Sequence, residues 1–317
     1  MAWQPAVPVE AARRVACIGA GVIGGGWAAL FLARGFDVTV WDPTDDAEQN
    51  VRRLVDLAWQ PLSDLGLADG AARDRLTFAP TLEDAVADAH FVQESAPERL
   101  DLKRRVLADI DRATPPGVVI ASSTSGYGVT EMETEVQKVP ERMIVGHPFN
   151  PPYLIPLVEI AGGQRTAAEA VAWAGGFYRR ADKFVLSLQR EVPGFVGNRL
   201  QEALWREALH MLAAGEASVE EIDAAIREGP GLRWALMGPC LTFHLAGGAG
   251  GMAYMLDHFG PSLEAPWTRL TAPDLTEALR ETLVTGCDGE AAGRSVEALV
   301  RQRDEQLVAL LKARSGR

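Results

Sequence analysis

Three glycines open the chemistry. Gly19, Gly21 and Gly24 stand in G-x-G-x-x-G spacing directly after the apolar run 15–18. Gly19 permits a tight turn from strand into helix, Gly21 lets the backbone approach a pyrophosphate, and Gly24 lets the helix lie close to a sheet. Phosphates then meet the unpaired N–H groups at the helix start, where Val22 and Ile23 sit. Asp42, 18 residues beyond Gly24, closes a second strand-like run, Asp37–Trp41. Its carboxylate suits the hydroxyls of an adenosine ribose and repels a 2′-phosphate, so the expected cofactor is NAD rather than NADP. A Gly-rich turn in some other α/β protein is the competing explanation. Against it, strand, triplet, helix, strand and acid follow in order within 28 residues.

The elements that must hold this turn are legible further on. Residues 45–68 carry Val51, Leu54, Val55, Ala58, Leu62 and Leu65 at helical spacing. Strands are expected at 76–78, 90–95, 118–122, 143–147, 157–160 and 184–188, and helices at 82–89, 100–113 and 166–179. Such alternation gives a mainly parallel sheet covered on both faces. Residues 1–12 are expected to be a tail. From Pro193 the periodicity is helical throughout. A long helix over 196–213 would have Phe195, Leu200, Leu204, Ala208 and Met211 near one stripe. Ser218 and Glu221 form a capping-box start, two helices fill 274–315, and residues 247–251 make a Gly-rich loop. The fold class is α/β, a Rossmann-type dinucleotide-binding domain (1–189) followed by an all-α domain (190–317) for substrate binding and dimerisation. A homodimer through the helical half is expected.

Composition narrows the partners. The chain has 317 residues, 47% hydrophobic and 23% charged, with a formal net charge of −12. That charge argues against nucleic acid and anionic membranes as partners and leaves a small-molecule substrate. Cys17, Cys240 and Cys287 are scattered singly, with neither a disulfide framework nor a metal site in view. No apolar run reaches 18 residues and the N-terminus lacks a signal-peptide core, which points to the cytoplasm.

Four further segments carry more chemistry: Ala121-Ser-Ser-Thr-Ser-Gly126, Gly146-His-Pro-Phe-Asn-Pro-Pro152, Leu157-Val-Glu-Ile160 and Pro193-Gly-Phe-Val-Gly-Asn-Arg-Leu200. In order and spacing the chain resembles the 3-hydroxyacyl-CoA dehydrogenase superfamily over nearly its whole length. The resemblance implies His147 as acid/base, Glu159 as its partner, and Ser125 and Asn198 as holders of the reacting oxygen. The chemistry agrees. Oxidising a secondary alcohol requires removal of the hydroxyl proton as hydride departs, and imidazole titrates near neutral pH. A carboxylate on the far ring nitrogen fixes the tautomer, and Ser and Asn can donate to an oxygen gaining charge. Taken singly, His147 also reads as a strand-end histidine, Asn198 as a helix brace and Glu159 as a surface acid. Ser122, Ser123 and Thr124 compete with Ser125.

For a CoA ester the superfamily uses basic residues after the second strand. Here residues 43–53 carry Asp45, Asp46 and Glu48, and no lysine occurs up to Ala72, although Arg52 and Arg53 are present. Arg233, set among glycines and apolar residues, suits a small substrate carboxylate, with a salt bridge to Glu228 or a helix C-terminal cap as the alternatives. Trp234, Phe243 and Tyr254 follow, and aromatic faces attract quaternary ammonium groups. The runs 199–211, 229–239 and 241–248 resemble the carnitine-oxidising branch of the superfamily, which implies a 3-hydroxy carboxylate bearing trimethylammonium. L-Gulonate, a short-chain 3-hydroxyacyl-CoA and a non-catalytic, crystallin-like NAD-binding role stay as alternatives.

Overall fold

In the computed structural model, residues 3–259 and 268–315 are described. The chain divides into two compact units, Met1–Asn198 with Leu307–Ala309, and Arg199–Gln306 with Leu310–Arg317.

The first unit runs β1 (Arg14–Ile18), α1 (Val22–Ala33), β2 (Asp37–Trp41), α2 (Ala47–Leu65), β3 (Leu76–Phe78), α3 (Leu82–Val86) and β4 (Phe91–Glu94). It continues through α4 (Leu100–Ala113), β5 (Val119–Ser122), α5 (Val129–Met132), β6 (Met143–Pro148), β7 (Leu157–Gly162), α6 (Ala168–Arg180) and β8 (Phe184–Ser187). The strands form one sheet in the order β3-β2-β1-β4-β5-β6-β7-β8. Neighbours are parallel except β6 and β7. Strand order reverses between β1 and β4, so a crevice opens beyond their carboxyl ends, where the glycine turn lies.

Both faces of the sheet are covered, as the apolar runs require. Val15 and Cys17 of β1 join one core with Trp27, Phe31, Val51, Leu62 and Phe177. Ala16 and Ile18 join the other with Leu107, Ile110, Val129 and Met132. Alternate residues of one strand therefore feed opposite layers.

The N-terminal segment is not a tail. Trp3 is buried and donates its indole N–H to Pro116 O at 3.0 Å. Ala6 N bonds Gly117 O at 2.7 Å, and Trp173 donates to Val7 O at 2.8 Å. These partners lie more than a hundred residues downstream, where local sequence gives no signal.

The second unit is helical: most of α7 (Gly197–Ala213), then α8 (Val219–Arg227), α9 (Pro230–Trp234), α10 (Pro239–Ala246), α11 (Gly251–Phe259), α12 (Glu277–Ala291) and most of α13 (Val296–Ser315). The capping box of Ser218 and Glu221 starts α8. Residues 248–250 form a short 3-10 turn following a helix, not a strand. The stripe expected on α7 is not its buried side. Leu200 and Leu204 are exposed, whereas Leu209 and Leu212 are buried, Leu212 against Val219 and Leu279. The helix has apolar residues on two sides, and periodicity alone does not choose between them. None of the described helices is long and apolar enough to cross a membrane.

Candidate active site

The glycine turn has the shape its spacing demands. Gly19 has φ +112°, and a Cβ there would lie 2.6 Å from Ser95 O. A Cβ on Gly24 would lie 2.0 Å from Gly19 O, while the space above Gly21 is open. Val22, exposed, and Ile23 begin α1 with N–H groups that have no preceding turn to bond. Ala20 is clamped at both ends. Its N–H donates to Asp42 Oδ2 at 2.8 Å, and its carbonyl accepts from Asn50 Nδ2 at 2.7 Å. Asp42 Oδ1 takes Thr44 N and Thr44 Oγ1. The close glycines, the open face at Gly21 and the acid at the tip of β2 fit a dinucleotide.

The other predicted cluster forms at the same edge of the sheet. β6 and β7 pair antiparallel with His147 directly opposite Glu159, so their side chains share a face. His147 Nδ1 lies 2.9 Å from Glu159 Oε2. Both are buried. Glu159 Oε1 accepts from Val196 N at 2.9 Å and Gly197 N at 3.0 Å. Burial pushes the Glu159 carboxyl up, but hydrogen bonds from His147 and these two N–H groups outweigh it and hold it below the ordinary value. The carboxylate is ionised and only accepts, so Nδ1 carries the ring proton and Nε2 offers a lone pair.

One turn makes this possible. Gly194 and Phe195 both adopt left-handed backbone, φ +68° and +53°, turning two successive N–H groups onto one oxygen. A positive φ is uncommon at a bulky residue and marks a constrained position. The same turn starts α7, and Asn198 follows. Asn198 Nδ2 donates to Ser125 O at 2.9 Å and lies 3.4 Å from His147 Nε2. Phe149 and Phe195 flank the imidazole, with ring centroids 4.9 and 5.2 Å away. Ser125 is exposed, and its hydroxyl makes no hydrogen bond among the described residues.

Sequence reasoning missed the groups behind Ser125. Glu98 Oε1 accepts from Thr124 Oγ1 at 2.6 Å, Ser125 N at 2.9 Å and Gly126 N at 3.2 Å. Lys103, buried, spans Glu94 Oε1 at 3.0 Å and Glu98 Oε2 at 3.4 Å. Glu94 also accepts from Ser122 Oγ. Two acids four apart with a lysine five further on were the available signal, hidden in a stretch that looked like an ordinary strand end and helix start. Gly146 and Gly197 were also overlooked. A Cβ on Gly146 would come 1.9 Å from Tyr178 Oη, and one on Gly197 would come 2.4 Å from Phe149.

The substrate candidates lie in the second unit. Arg233 and Trp234 end α9, Phe243 is on α10 and Tyr254 on α11, all exposed. Glu228 pairs with Arg227 at 3.0 Å, and Arg233 has no acid partner among the described residues.

The model of the NAD-binding domain of 3-hydroxyacyl-CoA dehydrogenase matches residues 14–192, and that of its C-terminal domain matches 194–285. The chain belongs to the 3-hydroxyacyl-CoA dehydrogenase family. It is an NAD-dependent dehydrogenase, and the turn described above belongs to the family's NAD-binding domain. The L-carnitine dehydrogenase of Streptomyces coelicolor is 67% identical over 304 residues, covering 96% of this chain and 95% of that one. The L-carnitine dehydrogenase of Streptomyces griseus is 66% identical, covering 98% and 92%. Among solved structures, an NAD+-dependent dismutase, 5-formyl-3-hydroxy-2-methylpyridine 4-carboxylic acid 5-dehydrogenase, aligns with TM-score 0.82 at 28% identity, covering 96% of this chain and 99% of that one.

Proposed function

We propose that this chain oxidises the 3-hydroxyl of L-carnitine to the 3-keto group of 3-dehydrocarnitine. The observation that carries the proposal is 67% identity to an L-carnitine dehydrogenase across 96% of the chain. Bound NAD supplies the hydride acceptor. Gly19, Gly21, Val22, Ile23 and Gly24 hold its phosphates, and Asp42 its adenosine ribose. His147 Nε2 takes the hydroxyl proton. Glu159 keeps the opposite nitrogen protonated and stabilises the imidazolium that forms. The Asn198 amide, already directed at Nε2, donates to the substrate oxygen while that oxygen gives its proton to the ring. Ser125, whose hydroxyl has no partner among the described residues, is the second donor.

Carnitine has two charged ends, and the second unit has candidates for each. Arg233 suits the carboxylate, since it is a guanidinium without an acid partner among the described residues. Trp234, Phe243 and Tyr254 suit the trimethylammonium. A CoA ester is disfavoured because Arg52, one of the two arginines after β2, is already paired with Glu48 at 2.7 Å.

The helical unit further supports pairing of two copies. Its buried apolar cluster is small, while Leu204, Trp205, Leu236, Leu241 and Leu256 are exposed. An apolar hollow of about 580 Å³ lies between α7, α8 and α12. A homodimer working in the cytoplasm, with Cys17, Cys240 and Cys287 as free thiols, completes the proposal.

NADH formation should be followed with L-carnitine, L-gulonate and 3-hydroxybutyryl-CoA. L-Carnitine should be turned over far faster than the others, and Arg233→Met should raise its KM about tenfold or more. Faster turnover of the CoA ester, or an unchanged KM in R233M, overturns the corresponding assignment. Light scattering at twice the 34.1 kDa chain mass is expected; a monomer rejects the pairing.

A further inference from the structure

A buried polar network runs beneath the cofactor turn, and the reaction uses none of it. Trp27, Gln93 and Tyr178 are fully buried and Ser123 nearly so. Ser123 Oγ meets Gln93 Nε2 at 2.9 Å, Trp27 Nε1 at 3.2 Å and Ser95 Oγ at 2.9 Å. Tyr178 Oη donates to Gln93 Oε1 at 2.6 Å, and Gln93 Nε2 faces Ala121 O at 3.4 Å.

Two members have fixed polarity. An indole N–H can only donate, and a backbone carbonyl can only accept. Ala121 O therefore turns the NH₂ of Gln93 toward itself and Ser123, leaving Oε1 for the tyrosine hydroxyl. Burial pushes the Tyr178 phenol well above its ordinary value, so it keeps the proton it donates. Ser123 Oγ then accepts from Gln93 and from Trp27, which fills both of its lone pairs. Its own hydrogen has one acceptor left, Ser95 Oγ. The reverse direction would give Ser123 three donors and strand its proton in the core.

Ser95 consequently accepts from Ser123, and its hydroxyl proton has no acceptor among the described residues. Its place is specific. Ser95 follows β4, the strand beside β1 where sheet order reverses, and its N–H bonds Ile18 O at 2.7 Å. Its carbonyl and Cβ are what substituents on Gly19 and Gly24 would meet, at 2.6 and 3.6 Å. The residue is partly exposed, as a ligand contact requires.

We propose that Ser95 binds the cofactor, its hydroxyl being set as a donor by Trp27, Gln93 and Ser123 and directed to an acceptor oxygen on the diphosphate or a ribose of NAD at the glycine turn. The inference rests on the assignment of that turn to NAD and is independent of the carnitine assignment.

The test is equilibrium titration of the purified enzyme with NADH, without carnitine, alongside melting temperatures. Wild-type binding checks the turn itself. Ser95→Ala should weaken NADH binding about tenfold, the loss of one hydrogen bond to a charged or strongly polar oxygen. Ser95→Cys, similar in size but a weak donor, should lose nearly as much. Ser123→Ala keeps the Ser95 hydroxyl and should lose less than either. ADP separates the sources. An equal loss for ADP places the contact on the diphosphate or the adenosine half, and a loss confined to NADH places it on the nicotinamide ribose. NADH affinity within about twofold of wild type in both Ser95 variants overturns the proposal, as does a loss in S123A equal to that in S95A.

Discussion

Exchanging Glu159 for Gln tests the proposed base most sharply, because the structure decides how the new amide must sit. Glu159 is buried and receives three donors: His147 Nδ1, Val196 N and Gly197 N. Glutamine has one oxygen and one NH₂. With its oxygen toward His147, the NH₂ confronts two backbone N–H groups that have nowhere else to bond. Each stranded donor costs about 1–3 kcal/mol, so that arrangement loses roughly 2–6 kcal/mol in total. With its oxygen toward the N–H pair, the amide donates to Nδ1, and the ring proton moves to Nε2. Only the long contact from Asn198 Nδ2 to Nε2, 3.4 Å, is given up, so the second arrangement wins.

The consequence is a folded enzyme with the wrong tautomer. Nε2 then carries a proton and cannot accept one from the substrate. The corresponding Asp→Asn exchange in a serine-protease triad lowers kcat by about 10⁴, and a loss on the order of 10³–10⁴ is expected here. The assay is NADH formation at saturating NAD and L-carnitine, with NADH affinity measured separately and expected to be unchanged. Nitrogen NMR of the histidines reports which ring atom is protonated. A kcat within about tenfold of wild type, or a His147 ring still protonated at Nδ1 in E159Q, would refute the reasoning.

Two further perturbations follow from the packing. Gly146→Ala places a methyl against the Tyr178 hydroxyl next to His147, and should reduce the unfolding free energy by about 1–3 kcal/mol in urea titration; unaltered stability would mean the contact relaxes freely. Lys183 is buried with its ammonium on Pro152 O at 2.8 Å and Ile155 O at 2.6 Å, and burial pulls its pKa from 10.5 to about 7. Its folded-state value lies below the unfolded one, so above pH 7 the unfolded chain binds more protons and stability rises with pH until about 10.5. Between about pH 7.5 and 9 that contribution is on the order of 1–2 kcal/mol, present in the wild type and missing in Lys183→Met; parallel pH profiles would show that the ammonium stays charged.

The strands, most of the first unit's helices and the glycine turn were legible because their signals are local. Apolar runs of four or five residues bounded by turns need no knowledge of partners. The fate of residues 1–12 was not legible, because Trp3 and Val7 are held by Pro116 and Trp173, far along the chain. The buried side of α7 was not legible either. Leu204 and Leu209 belong to different apolar sides of one helix, and the partners that select the buried one, such as Val219 of α8 and Leu279 of α12 against Leu212, lie elsewhere in the chain. Glu98 and Lys103 escaped notice because each looks like a surface charge until Thr124 and Ser125 are brought to it.

The His147–Glu159 pair shows where motif and geometry part. A separation of 12 residues fixes nothing by itself. In an antiparallel pair, a slip of one residue would set His147 opposite Val158 or Ile160 and send the carboxylate to the other face. Two sets of contacts oppose that slip. Val158 and Ile160 are buried in the core containing Phe31 and Phe177, and a slip would drive Glu159 into that core. Glu159 also holds Val196 N and Gly197 N, so moving it would release the start of α7 and Asn198 with it. Register, acid–base pair and amide donor are therefore one constraint. A variant that loosens the turn at Gly194 and Phe195 should impair the imidazole's orientation even though neither residue supplies a group to the proposed chemistry.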